Sequence, residues 1–343
     1  MMRVALEHLD GTSALSLCAR EYPRGGSARK RLLAAPGRAL CGVLAAALLL
    51  AAQGCSLLRS RPAPFGDEAR AVRSLEPVQH RLEAADAASA SLLLTDIGRV
   101  EQPGEAAEFW RMVYRPFVPG LKRVLIVAGV RGNEAAGVES ALDTIGRLIA
   151  PPGPGTLFNA DILPVANPWG WVHGMARNPM RVDIDRDFGS FDSREARIIR
   201  RFLRDKRYDL VIDLREDIEA TGFSIHLFGM DATAAAERIL AEAAACGYPL
   251  EGRPAGLRAG LVTVSGLQLT LLEWLGSVSL PAYARRQVAS VVYMVVTPTI
   301  LPLAERVALQ QMAIEALIAE HAAPPPPPAV GCRSRGEEIH GPS

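Results

Sequence analysis

The chain has 343 residues, of which 38 are Lys or Arg and 37 are Asp or Glu, so its formal net charge is +1. This near-neutral balance excludes a nucleic-acid-binding protein, which needs a strongly basic domain or face. A hydrophobic fraction of 49% excludes a disordered chain, and five Cys are too few for a disulfide-dense scaffold. The six His also limit how many imidazole groups are available to bind a metal.

Residues 1–54 have the pattern of a secretory signal. This segment carries a net charge of +4, whereas the rest of the chain carries −3. Its basic part leads into a run of 14 apolar residues, 39–52, which is shorter than the roughly 20 residues needed to cross a membrane. The pattern therefore predicts export of the chain rather than a membrane-spanning helix.

The end of this segment, Leu50-Ala-Ala-Gln-Gly-Cys55, resembles the lipobox of bacterial lipoproteins, in which the Cys is diacylated and becomes the first residue of the mature protein. Ser56 resembles an outer-membrane sorting signal. The resemblance implies a cell-envelope lipoprotein that is anchored through Cys55 in the outer membrane and faces the periplasm. A plain signal peptide or signal anchor with an unmodified Cys55 is the alternative.

The mature chain divides by composition into three parts. Residues 55–66 form a short tether, and residues 67–322 are long enough for a single α/β domain. Residues 323–343 contain five consecutive Pro at 324–328 and continue as a polar stretch, which predicts a disordered tail.

Apolar runs alternate with helical patterns across the domain. Strands are predicted at residues 124–128, 160–165, 208–214, 223–228 and 291–296. Helices are predicted at residues 135–149, 194–206, 232–246 and 303–321, with Ser193 as the cap of the second and a turn at residues 167–170. This alternation predicts a mostly parallel, mixed central sheet with helices on both faces. Ligands of such sheets bind beyond the carboxyl ends of the strands, so a site is expected in the loops after residues 128, 165, 214 and 296.

Five short motifs occupy these loops or lie close to them in the chain. They are GVRGNE at 129–134, NPWG at 167–170, VDIDRDF at 182–188, DLRED at 213–217 and VTPT at 296–299. In this order they resemble the zinc carboxypeptidase family and its succinylglutamate desuccinylase and aspartoacylase relatives, over residues 124–306. The resemblance implies a zinc-carboxypeptidase-like α/β fold.

The resemblance also implies where a metal site belongs. The family binds one zinc through a His and a Glu of the first motif and a His of the fourth, and a Glu before the Thr-Pro of the last motif is the general base. In this chain the two His positions are Arg131 and Arg215, the Glu is retained as Glu134, and the base position is Val296. A guanidinium has no lone pair for a metal and Val accepts no proton, so we expect no zinc cofactor and no confident catalytic residue.

The substrate-binding side of the motif set is altered as well. The Asn-Arg pair that holds a terminal carboxylate in the family matches Asp185 and Arg186, so the Arg alone is retained. The family's oxyanion-stabilising Arg falls at Ala176, with Arg177 one position later. The resemblance therefore leaves Arg186 and, if the loop is shifted by one residue, Arg177 as ligand-binding candidates.

Other polar residues have ordinary structural interpretations. His226 is expected to pack or hydrogen-bond within a strand, and His173 to lie in the loop after residue 168, within reach of the pocket. Glu273 is expected to be a strand-end acid, and the acidic stretch from Asp213 to Glu219 a solvated, salt-bridged loop.

Two hypotheses describe what Arg131 and Arg215 do. In the first they form a buried salt-bridge cluster with Glu134 and Asp185 that keeps an inactive pocket folded. In the second Arg131, Arg215 and Arg186 form a metal-free pocket for a carboxylate, for example that of a peptide or of a peptidoglycan stem.

The leading interpretation is thus a catalytically inactive carboxypeptidase-like lipoprotein that binds a ligand or a protein partner. The alternative is an active carboxypeptidase, amidase or deacylase with a shifted site, in which case zinc is the expected cofactor, or with a metal-free site. A protein whose function lies elsewhere on its surface is a third interpretation.

Overall fold

The computed structural model describes residues 73–102, 105–153, 156–229, 232–252 and 258–322. The signal segment 1–54, the lipidation candidate Cys55, the tether 55–66 and the tail 323–343 lie outside these residues. Among the described residues no helix is both long enough and apolar enough to span a bilayer.

The described chain alternates between strands and helices. The strands are β1 (Leu92–Gln102), β2 (Glu105–Tyr114), β3 (Arg123–Val127), β4 (Asn159–Leu163), β5 (Tyr208–Asp217), β6 (Ser224–Phe228), β7 (Leu261–Val264) and β8 (Ala289–Pro298). The α-helices are α1 (Glu76–Ala88), α2 (Ala135–Arg147), α3 (Pro168–His173), α4 (Arg194–Leu203), α5 (Thr233–Ala245), α6 (Gly266–Trp274), α7 (Leu280–Gln287) and α8 (Leu303–His321). A short 3₁₀ helix spans Ile184–Arg186.

Within the described residues all eight strands belong to one sheet, in the order β1-β2-β4-β3-β5-β8-β6-β7. Its centre, β4-β3-β5-β8, is parallel, whereas β1 with β2, β2 with β4, and β6 with β8 pair antiparallel. The predicted mixed α/β sheet is confirmed. Parallel central strands bring the carboxyl ends of β3, β5 and β8 to one edge, and this edge carries the candidate site.

Helices cover both faces of the sheet, as predicted. Helices α1, α2, α5 and α8 pack on one face through an apolar layer that includes Ile126, Ile212 and Val295. Helices α4, α6 and α7 pack on the other face through a layer that includes Leu125 and Val211. Because side chains alternate along a strand, successive residues of β3 and β5 enter different layers, which is why both strands are almost wholly apolar.

Most of the predicted core elements lie close to their expected bounds. Ser193 caps α4 by accepting a hydrogen bond from the amide of Ala196, as predicted. The elements that the pattern did not predict are α1, the β1–β2 hairpin, β7, α6 and α7. Most of these sequences mix polar residues into the apolar runs, which weakens the periodic signal, whereas the Leu-rich segment of α6 has the alternation of a strand.

Three local predictions were wrong. Residues 167–170 begin the helix α3 rather than forming a turn, because Asn167 caps that helix and Pro168 fits its first position. Glu273 lies on α6 and not at the end of a strand, and its carboxylate is 3.3 Å from Nε of Arg286. Residues 213–217 do not form a solvated loop, since they continue strand β5 to Asp217 and the first four are buried.

Candidate functional site

The candidate site lies where β3, β5 and β8 end side by side. Strand β3 leads through the tight turn at Gly129, with a positive φ of 63°, to Arg131 and Glu134. Arg215 lies on β5 and pairs in register with Val296 of the neighbouring parallel strand β8. The sheet topology therefore brings together three of the five sequence motifs.

Arg215 is the centre of the site. Its side chain is 4% exposed, and its Nε donates to Oε2 of Glu134 at 3.0 Å. Its Nη1 donates to Asp185 at 2.7 Å and to Asp213 at 3.3 Å. Asp213 faces the same way as Arg215 because the two residues are separated by two positions on one strand. A buried cation thus holds carboxyl groups from the loop after β3, from the 3₁₀ helix and from β5.

Arg131 forms the outer part of the cluster. Its Nη2 lies 3.5 Å from Asp183 and 3.6 Å from Asp185, and its side chain is 30% exposed. Nε of Arg186 lies 3.8 Å from the same Asp183. Asp183 was not among the predicted site residues. Its position in the VDIDRDF motif, two residues before Asp185, is the sequence signal that could have identified it.

The protonation states follow from burial and charge. Burial raises the pKa of Glu134 to about 8, because desolvation outweighs the lowering effects of Arg215 and Arg131. Burial likewise raises the pKa of Asp213 to about 7. Burial also acts to raise the pKa of Asp185, but Arg215 and then Arg131 outweigh it and hold that pKa below its ordinary value. Oε1 of Glu134 is buried and has no hydrogen-bond partner among the residues that the structure describes.

A close contact between the turn after β3 and the start of α3 positions Arg131 and Glu134. The ideal Cβ position of Gly132 lies only 1.8 Å from the carbonyl carbon of Gly170, so the turn after β3 has no space for a side chain. The carbonyl oxygen of Gly132 accepts a hydrogen bond from Arg73 at 3.1 Å. Gly132, the second glycine of the GVRGNE motif, is therefore required by packing against the start of α3.

A second polar network supports β5 from the opposite face of the sheet. Glu216 accepts a hydrogen bond from the amide of Ala136 at 2.9 Å and forms an ion pair with Arg306 of α8. Gln310 donates to the carbonyl oxygen of Arg215 at 3.0 Å and to Thr297 at 3.1 Å. Sequence reasoning missed this network, because its residues come from three separated segments and are not part of one motif.

Some predicted residues do not join the cluster. Arg177 is exposed and donates to the carbonyl oxygen of Arg181 at 3.0 Å. His173 stacks on Trp169 and has its Nδ1 2.9 Å from the carbonyl oxygen of that residue. His226 is buried in β6, where its Nε2 lies 3.2 Å from the hydroxyl of Ser224, as predicted for a structural His.

The donor set of the site does not fit the zinc that the fold implies. Two of the three ligand positions that the sequence resemblance implies are occupied by the guanidinium groups of Arg131 and Arg215, which offer no lone pair. The retained carboxyl, Glu134, accepts from Arg215 instead. Among the described residues no group of three or more His, Cys, Asp or Glu is arranged to hold a metal ion.

Comparison with known proteins supports the fold. No protein-family model and no curated protein matches the chain. A candidate metallopeptidase from Shewanella amazonensis is 21% identical, with a TM-score of 0.60 over 73% of this chain and 94% of that one. The carboxypeptidase A of Helicoverpa armigera is 14% identical, with a TM-score of 0.54 over 80% of this chain and 79% of that one. A metallo-carboxypeptidase from Burkholderia cenocepacia is 17% identical, with a TM-score of 0.53 over 72% and 69%. The chain therefore has a zinc-carboxypeptidase-like fold, and identities this low carry no assignment of activity.

Proposed function

We propose that this protein is a catalytically inactive member of the carboxypeptidase-like fold that acts by binding a carboxylate-bearing ligand. One observation carries the proposal: the buried guanidinium of Arg215 binds Glu134, the carboxylate retained from the implied zinc-ligand set, at 3.0 Å. The guanidinium of Arg215 and a zinc ion would compete for this carboxyl group. The burial of Arg215 therefore supports a metal-independent pocket.

The residue opposite Arg215 supports the same proposal. Val296 occupies the general-base position implied by the resemblance, and it is buried beside Arg215 in the register of β5 and β8. A Val side chain can neither accept a proton from water nor orient it. Hydrolysis of a peptide bond by the family mechanism thus lacks both its metal ligands and its base.

For Arg215 the geometry favours the hypothesis of a buried salt-bridge cluster. Ligand binding is left to the outer part of the cluster, Arg131 and Arg186. Arg215 is enclosed by three carboxyl groups, so an incoming carboxylate does not reach it. Arg131 and Arg186 are 30% and 26% exposed, and their ion pairs with Asp183 are 3.5 and 3.8 Å long. These distances exceed that of a direct charge-assisted hydrogen bond, so a ligand carboxylate competes well with Asp183. Peptide C-termini, including those of peptidoglycan stems, are the proposed ligands.

The proposal places this pocket in the bacterial envelope. Its support is the sequence alone: the basic leader, the apolar run 39–52 and the lipobox-like Leu50–Cys55 string. Diacylation of Cys55 would attach the domain to the outer membrane through residues 55–66. Metabolic labelling with a radioactive fatty acid tests this attachment, and a Cys55→Ser chain that incorporates as much label as the wild type would contradict it.

Metal content and catalysis test the inactive state. We expect the purified full chain, incubated with zinc and then desalted, to retain far less than one zinc per chain by elemental analysis. We also expect no release of C-terminal residues, acyl groups or amide products from peptide and N-acyl amino acid substrates. Stoichiometric zinc with metal-dependent hydrolysis would establish the alternative, an active hydrolase.

Calorimetric titration with stem peptides and with short carboxylates tests ligand binding. Arg131→Gln should weaken binding at least about tenfold, since it removes a charge-assisted contact. Arg177→Gln is the matched control, because it removes an equal charge from an exposed side chain outside the cluster. No binding to the wild-type chain, or an equal loss in both variants, would refute the carboxylate pocket.

A further inference from the structure

A second charged cluster lies on the same face of the sheet but at its opposite edge. It is built around Asp161 of β4, whose side chain is 1% exposed. Asp161 is the middle residue of β4, and its partners Arg123 and Tyr208 begin β3 and β5, whereas Arg215 lies near the carboxyl end of β5. The two clusters therefore belong to different ends of the molecule.

Three guanidinium groups converge on this single carboxylate. Arg115 donates to Oδ1 of Asp161 at 3.0 Å, and Nε of Arg111 lies 3.4 Å from the same oxygen. Arg123 has its Nη2 3.8 Å from Oδ2. The residues come from neighbouring strands, β2, β3 and β4, and alternate residues of those strands face one side. This convergence is a product of strand register.

Two further side chains complete the cluster, which consists of Arg111, Arg115, Arg123, Asp161, Lys206 and Tyr208. The hydroxyl of Tyr208 donates to Oδ2 of Asp161 at 2.7 Å, so both carboxylate oxygens are occupied. The ammonium group of Lys206 lies 4.5 Å from the ring centre of Phe202, over which Arg111 also stacks. Three guanidinium groups thus contact one acidic side chain, and the carboxylate of Asp209 accepts hydrogen bonds from Lys122 and from the amide of Arg123.

The cluster has more positive charge and more donors than its own acid can satisfy. Burial lowers the pKa of Lys206, and repulsion from Arg111, Arg123 and Arg115 lowers it further against the attraction of Asp161. The buried Nε of Arg111 has no hydrogen-bond partner within the described residues. The side chains of Arg115 and Arg123 are 37% and 39% exposed, so the cluster opens to solvent.

We infer that this basic cluster binds a phosphate group. A phosphate monoester carries close to two negative charges and several acceptor oxygens, whereas one further carboxylate would leave the excess positive charge largely uncompensated. Planar guanidinium groups bind phosphate oxygens bidentately, and the guanidinium-bearing side chains of Arg115 and Arg123 are partly exposed to solvent. The phosphate is either that of a soluble compound or that of a lipid headgroup.

Titration of the full-length chain with inorganic phosphate and with glycerol 1-phosphate at low ionic strength tests the site. We expect saturable binding that Arg123→Gln and Lys206→Gln each weaken at least about tenfold. Arg147→Gln is the control, because Arg147 is an exposed cation paired with Glu315 and lies on the opposite face of the sheet. Lys206→Gln leaves every ion pair of Asp161 in place, so it reports on binding even if the Arg variant unfolds.

Vesicle sedimentation distinguishes the two sources of phosphate. If the ligand is a headgroup, phosphatidic acid, whose headgroup is a phosphate monoester, in phosphatidylcholine vesicles should increase binding of the wild-type chain and of Arg147→Gln, and Lys206→Gln should lose the increase. If the ligand is soluble, the phosphate titrations alone should respond to Lys206→Gln. Absence of binding in both assays, or equal losses in Lys206→Gln and Arg147→Gln, would overturn the inference.

Discussion

Nε of Arg215 lies 3.0 Å from Oε2 of Glu134, so the side chain that replaces an implied zinc-ligating His binds the implied zinc-ligating Glu. The other charged side chains of the site are arranged around this contact. When Glu134 is protonated, the guanidinium groups of Arg131, Arg186 and Arg215 face the three carboxylates of Asp183, Asp185 and Asp213. The site is then close to charge balance without a metal ion.

Removal of the central cation should destabilise the fold. Arg215→Ala leaves Asp213 buried without its cation and Asp185 with its longer contact to Arg131, a change that typically costs about 3–5 kcal/mol. Urea unfolding followed by circular dichroism measures the loss. Arg177→Ala is the control and should change the free energy of unfolding by no more than about 0.5 kcal/mol. Equal stability of the two variants would show that the buried ion pairs contribute little.

Stability should fall as the pH rises across neutrality. Because the pKa of Glu134 is raised from 4.5 to about 8, the folded protein binds more protons than the unfolded chain between these pH values. The stabilisation from protonated Glu134 is complete below about pH 4.5 and is lost above about pH 8. The raised pKa of Asp213, about 7, acts in the same direction.

Urea unfolding between about pH 5 and pH 8 measures this slope, which should be on the order of a few kcal/mol across the window. Glu134→Gln should make it shallower, because a neutral amide does not titrate. Glu139→Gln removes a carboxylate of α2 that is bound to Arg81 of α1, and this variant should keep the wild-type slope. A Glu134→Gln protein as pH-sensitive as the wild type would contradict the raised pKa.

Restoration of the implied ligands should create a zinc site. The triple variant Arg131→His, Arg215→His, Val296→Glu supplies two imidazoles and a base around the retained Glu134, and we expect it to bind about one zinc per chain. Elemental analysis after dialysis measures the content. Addition of Glu134→Gln should abolish binding, and a folded triple variant that binds no zinc would show that these residues do not match the family's ligand positions.

Gly132→Ala should destabilise the loop that carries Arg131 and Glu134. The added methyl group would overlap the backbone of Gly170, which cannot move without shifting α3, so we expect a loss of at least about 1–3 kcal/mol. Gly146→Ala is the contrasting change, because Gly146 lies within α2 with open space around it. It should stabilise the protein by about 0.5–1 kcal/mol, as measured by thermal unfolding.

The sequence by itself determined the central α/β framework and the side chains at positions 131, 215 and 296, where the resemblance implies metal ligands and a base. Continuous apolar runs such as 124–128 predicted buried strands, because only a strand covered on both faces is apolar at successive positions. The identities of Arg131, Arg215 and Val296 also decided what those side chains can donate or accept, wherever they lie. The β1–β2 hairpin was missed because polar residues interrupt its apolar pattern, whereas the alternating Leu267, Leu269 and Leu271 of α6 gave the pattern of a strand.

Only the tertiary structure decided which charges meet. Asp213 and Glu216 are three residues apart, yet strand alternation places one against Arg215 and the other against Arg306 on the opposite face. Arg131 enters the site while Arg177 faces solvent. The basic cluster around Asp161 draws on residues from 111 to 208, which strand register alone brings together. Contacts between residues so far apart depend on register and packing, which no local pattern encodes.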